Sequence, residues 1–169
     1  MNNYFQGTKN SPYHISIGAV VRNTEGKICC HYFNELTYST IGTLSNLYLL
    51  MRETIEPNEK IEECLARGLM EEFGMKASLN SFVGSIVSHF PVMVDSLDTG
   101  VVMEKNTLYF LCDFVSIDES HRNSEEGDIE AKSEIKWMDP EDLIIKMKEQ
   151  GKRLGREDAD ESSVIERVI

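Results

Sequence analysis

Between Asn58 and Gly74 the apolar residues Ile61, Leu65, Leu69 and Phe73 recur at every fourth position, with mostly charged residues between them. At roughly 100° per residue these side chains form one stripe, which predicts an amphipathic helix packed against a core. Asn58 is a residue type that caps helices and Gly74 one that ends them, so the helix is expected between the two. Upstream the period changes. His14 to Val21 is rich in β-branched residues and reads as a strand, Asn23-Thr24-Glu25-Gly26 as a turn, and Lys27 to Phe33 as the returning strand of a hairpin. Asn34 to Asn46 has little periodicity and is expected to be a loop, while Leu47-Tyr48-Leu49-Leu50 reads as a short apolar strand. Downstream, Ser81 to Phe90 and Thr107 to Ile117 read as longer strands. Between them Pro91 to Asn106, with Asp95, Asp98 and Gly100, suggests a loop or hairpin tip. Asp118 to Ser133 is acidic and loop-like, and Ile135 to Met138 is a last short strand. Pro140 opens a helix running to about Gln150, and a final helix is expected over Glu161 to Val168.

This order of elements predicts an α/β fold, a mixed sheet with helices on both faces. No repeat or second domain is visible, so residues 11–169 are expected to form one domain. Met1 to Asn10 reads as a flexible N-terminal tail. Within it Tyr4-Phe5-Gln6-Gly7 resembles the end of an engineered protease-cleavage tag, so residues 1–7 need not be native.

Composition narrows the setting. With 41% hydrophobic and 27% charged residues among 169, the chain has the balance of an ordinary globular protein. No apolar run approaches the roughly 20 residues that span a bilayer, and the polar N-terminus does not read as a secretory signal. The four cysteines lack zinc-site spacing: Cys29 and Cys30 are adjacent, Cys64 falls in the predicted helix, and Cys112 lies on a strand. Neighbours on a strand point to opposite faces, so buried reduced thiols and a cytoplasmic location are expected. The net charge of -12 argues against a nucleic-acid backbone or membrane as partner, because phosphate surfaces would be repelled. It does not argue against a phosphorylated small molecule, which an acidic site binds through a divalent cation. Homodimerisation is left open.

Candidate chemistry lies on the helix. Glu72 falls near the middle of the apolar stripe and Glu71 along its edge. A lone carboxylate facing a core costs several kcal/mol or takes up a proton. Two adjacent ones are explained by a shared divalent cation, or else Glu72 pairs inside the fold, with Arg67 as a nearby partner.

Glu53 to Met75 resembles the Nudix box, G-x(5)-E-x(7)-R-E-U-x-E-E-x-G-U, where U is a bulky aliphatic residue. Glu59, Arg67, Leu69, Glu71, Glu72, Gly74 and Met75 fall on its positions without a gap. Two positions depart: Glu53 replaces the opening Gly, and Gly68 replaces the Glu after Arg67. The resemblance extends weakly to Glu134–Leu143, an acidic, aliphatic and Trp-containing run before the closing helix. It implies a Nudix-type α/β/α sandwich and a divalent-metal-dependent pyrophosphohydrolase. Such an enzyme cleaves a nucleoside diphosphate linked to another moiety, with Mg²⁺ or Mn²⁺ held by box glutamates. Carried over, Glu71 and Glu72 are metal ligands and catalytic residues, and Glu59 with Arg67 forms the ion pair that ties the loop to the helix. Glu53 is a candidate replacement ligand, Arg52 a candidate phosphate contact, and Glu130 the candidate base in the late loop. Glu125, Glu126, Asp128 and Glu134 are its alternatives.

Gly68 admits two readings. It marks a weakened metal triad, in which case Gly68→Glu strengthens metal binding, or close packing forbids a side chain there. The first departure from the enzyme reading is a catalytically weak nucleotide-binding or regulatory module on the same fold. Tyr48, Phe90 and Tyr109 are candidates to stack on a base, with core packing as the alternative.

Overall fold

The computed structural model describes residues 5–8, 11–38, 42–94, 97–123, 129–156 and 159–169. Its central strand is β2 (Ser11–Arg22), preceded by β1 (Phe5–Thr8) and followed by β3 (Ile28–Tyr38), β4 (Gly42–Leu49) and β5 (Met51–Thr54). Helix α1 (Ile61–Phe73) comes next, then the long strands β6 (Met75–Val94) and β7 (Leu97–Ile117). Strand β8 (Glu134–Met138) and helices α2 (Pro140–Leu154) and α3 (Ser162–Ile165) close the chain.

The sheet is mixed. β2 runs parallel to β7 from Tyr13↔Glu104 to Arg22↔Asp113, and antiparallel to β5 from Ser16↔Thr54 to Ala19↔Met51. β3 lies antiparallel to both β4 and β8. Alternation along the strands sorts side chains into two cores. Ile17, Ala19, Val21 and Cys29 join Leu65, Leu69 and Phe73 of α1 on one face. Val20 and Cys30 join Leu143 and Met147 of α2 and Val164 and Ile165 of α3 on the other. The adjacent cysteines thus enter different cores, and all four cysteines are buried free thiols. The result is helix, sheet, helix.

Several elements differ from expectation. The capping residue of α1 is Lys60, not Asn58: Asn58 has φ 64, a left-handed conformation that asparagine tolerates, and belongs to the turn before the helix. Asn34 to Asn46 is not a loop. β3 runs on to Tyr38 and pairs back through Leu36↔Leu44 and Thr37↔Thr43, with Phe33, Leu36 and Leu47 buried together. Pro91 to Asn106 likewise belongs largely to the β6–β7 ladder, including Pro91↔Val102. Proline is tolerated there because β6 pairs with β7 alone among the described strands. Asp95, at the expected hairpin tip, lies outside the described residues. Within the segment read as a tail, Phe5–Thr8 forms β1 and folds back on Ser11–His14, since a backbone ladder satisfies its polar groups. Among the described residues no helix is long and apolar enough to cross a membrane.

Candidate active site

Helix α1 presents its two terminal carboxylates differently. Glu72 lies on the buried stripe, and its Oε2 is 2.7 Å from Nε2 of His31 on β3. The His31 Nδ1 is 2.7 Å from the Ser133 hydroxyl. Burial drives the Glu72 carboxyl well above the usual carboxylate range, and the nearby Glu130 and Glu53 push it the same way. Burial lowers the His31 imidazole to about 3, with Arg122 and Arg52 adding to the effect. A neutral ring has one N–H for two contacts, so the other proton comes from the Ser133 hydroxyl or the Glu72 carboxyl. The expected internal partner, Arg67, does not meet Glu72; His31 does.

Arg67 instead gathers the start of the box. Its Nε donates to Glu59 Oε1 at 2.9 Å and its Nη2 to Glu59 Oε2 at 3.0 Å, a two-pronged pair. Nη2 also donates to the Thr54 carbonyl at 2.9 Å, fastening α1 to the end of β5. Nη1 lies 3.3 Å from Glu53 and 3.7 Å from Glu71. The guanidinium holds the Glu59 carboxyl below its ordinary range, whereas burial pushes Glu53 above it.

These elements enclose a cavity of about 400 Å³ lined by Arg52, Glu53, Thr54, Glu71, Glu72, Lys105, Asn123, Glu130 and Ala131. A smaller recess of about 100 Å³ shares Arg52, Glu72, Lys105 and Glu130 and reaches in to His31 and Phe33. Arg52 is held from behind. Its Nε is 3.6 Å from Glu161, a fully buried carboxylate that accepts from the Leu50 N–H at 2.8 Å and from the Tyr109 hydroxyl. Glu130 is brought in by Arg122, whose Nη2 donates to the Glu130 carbonyl at 2.9 Å while its Nε donates to the Glu72 carbonyl at 2.8 Å. One guanidinium thus ties the late loop to the C-terminal turn of α1.

The donor set fits a hard divalent cation. Glu53, Glu71 and Glu72 supply carboxylate oxygens around one cavity, and Glu72 is buried where its charged form is costly without a cation. Among the described residues no three His, Cys, Asp or Glu side chains form a ready-made cluster. Glu53 is turned toward Arg67 and Glu72 toward His31, so an ion would have to draw them together.

Of the residues singled out from the sequence, Arg52, Glu53, Glu71, Glu72 and Glu130 all line the cavity, while Glu59 and Arg67 pair beside it. Glu134 lies on β8 near Lys136. Glu125, Glu126 and Asp128 fall outside the described residues, as does the side chain of Phe90. Tyr109 is buried against Glu161 rather than offered to a base. His31, Lys105, Arg122, Ser133 and Glu161 were not anticipated. A histidine alternating with Cys30 and Tyr32 on a strand was a usable signal for His31; nothing local marks the other four.

Residues 12–157 match the NUDIX domain. The chain belongs to the Nudix family. Nudix proteins act on pyrophosphate bonds of small nucleotide-derived molecules, generally with divalent metal. Solved structures agree on the fold. The MutT protein from Methanosarcina mazei Go1 is 20% identical, with TM-score 0.52 over 95% of each chain. The E. coli ORF135 protein is 14% identical, with TM-score 0.53 over 96% of this chain and 93% of its own. A NUDIX hydrolase from Nitrosomonas europaea is 16% identical, with TM-score 0.52 over 79% and 76%. No curated protein sequence matches the chain.

Proposed function

We propose that this Nudix protein is a Mg²⁺- or Mn²⁺-dependent pyrophosphohydrolase that cleaves a nucleoside diphosphate linked to another moiety. The observation that carries this reading is the buried Glu72 opening onto a cavity shared with Glu71, Glu53 and Glu130 and bordered by Arg52 and Lys105. Glu71 and Glu72, with Glu53, would hold the metal, which when bound neutralises charge developing at the phosphorus. Arg52 and Lys105 bind the phosphate oxygens, and Glu161 keeps Arg52 aimed at them. Glu130 takes the proton of the attacking water, which requires its carboxylate to reach that water within hydrogen-bond distance. The buried, reduced thiols suit a cytoplasmic setting.

A catalytically weak nucleotide-binding module is the second reading, favoured by Gly68 and by the want of a ready-made ligand cluster among the described residues. A phosphate-release screen separates the two. Nucleoside triphosphates, dinucleoside polyphosphates, NADH and ADP-ribose are tested with Mg²⁺ and Mn²⁺, beside calorimetric Mn²⁺ binding. Turnover of one class is expected, and Glu72→Gln should abolish Mn²⁺ binding with the fold intact. Nucleotide binding without turnover of any compound selects the module.

A further inference from the structure

The two departures from the box concern residues that touch. A Cβ added to Gly68 would lie 2.7 Å from the Glu53 Cβ, 3.2 Å from its Cγ and 2.9 Å from the Met51 sulfur. Real side chains do not approach so closely, so the methylenes of Glu53 already occupy the volume that a side chain at position 68 would enter. A side chain at position 68 would force the Glu53 backbone-proximal methylenes and the Met51 sulfur to give way. The pattern has Gly at the strand position and Glu at the helix position; here the residue types are exchanged.

We infer that the two departures are one reciprocal exchange: the carboxylate missing from α1 at Gly68 is delivered from β5 by Glu53, as a ligand of the catalytic cation. This rests on the metal-dependent reading above. Two observations support it. Glu53 lines the same cavity as Glu71 and Glu72, and its β-carbon lies beside the backbone position that it replaces. The plainer account makes Glu53 one more partner of Arg67, whose Nη1 is 3.3 Å away. Arg67 is already met on two prongs by Glu59, and the Thr54 N–H, which donates to Glu53 at 2.8 Å, falls like the Arg67 contact on Oε1. The Oε2 of Glu53 is left for the cation.

The test is Mn²⁺ affinity without substrate, by calorimetry and by the Mn²⁺ spin-resonance signal, with urea unfolding of every variant. Glu53→Gln keeps the shape and the hydrogen-bonding capacity but removes the charge, so it should weaken Mn²⁺ binding about tenfold or more. Glu53→Gly should do the same. Gly68→Glu alone should lower stability, because two side chains then compete for one volume. The double variant E53G/G68E should fold and regain affinity to within a few-fold of the parent. Parent-like affinity in Glu53→Gln, or a folded double variant no better than Glu53→Gly, overturns the exchange. Absence of Mn²⁺ binding by the parent itself would overturn the metal-dependent reading, and the exchange with it.

Discussion

Glu72 is 8% exposed while the side chain of Glu71 is 46% exposed, although the two are adjacent. The 100° step of a helix separates them, placing one over the sheet and the other at the cavity rim. A buried carboxylate needs a partner, and His31 supplies it here. Glu130 lines the same cavity from the start of a 3-10 turn, Glu130–Lys132, whose first carbonyl accepts from Arg122. If it is the base, Glu130→Gln should cut turnover about 100-fold or more while Mn²⁺ affinity changes little. Turnover within a few-fold of the parent would clear Glu130 and direct attention to Glu53 or Glu134.

Helix α1 owes its length to its ends as much as to its stripe. The Lys60 N–H donates to Glu63 Oε2 at 3.0 Å at the start. At the end Gly74 takes φ 62, and its N–H donates to the Met70 carbonyl at 2.9 Å, a left-handed stop that turns directly into β6. A Cβ there would lie 2.1 Å from the Asp118 carbonyl oxygen. Gly74→Ala therefore adds a steric conflict to the left-handed penalty and should cost at least about 1–2 kcal/mol. The urea midpoint should fall with an unchanged slope, and because Asp118 opens the loop carrying Arg122, Mn²⁺ affinity should fall as well. A midpoint equal to the parent's would show that the turn relaxes freely.

At the scale of the whole molecule, the two cores hold four thiols that burial keeps protonated. Cys30, Cys64 and Cys112 are each pushed up to about 12, and Cys29 is raised too. In the native state none should react with a thiol reagent at pH 8, and all four should react in denaturant. The linkage has a definite sign. A folded pKa above the unfolded one means that the native state binds more protons, so this stability is full below about pH 9 and lost as pH rises toward 12. Cys30 alone would give a slope of up to about 1.4 kcal/mol per pH unit in that window. Cys30→Ala should flatten the alkaline fall in unfolding free energy, whatever it costs at neutral pH. An unchanged alkaline slope in that variant would assign the fall to other groups.

The periodicity of Ile61 to Phe73 and the β-branched run of β2 were enough to predict the α1 helix and the strand, because each is a local property. The order of the elements then implied a mixed sheet with helices on both faces, which the two cores bear out. The box spacing likewise located Glu59, Arg67, Glu71 and Glu72 on one helix and its approach. Strand pairing is not local: Leu36↔Leu44 and Pro91↔Val102 look like loop until the partner strand is seen, because exposed strand positions hide the period of two. Contacts across elements were still further from view. Only the tertiary structure could set His31 under Glu72, Glu161 behind Arg52 and Arg122 between the late loop and the helix. The same holds for Glu53 and Gly68. In the sequence they are two separate departures; packing makes them one, because a strand and a helix cannot place two side chains in a single volume.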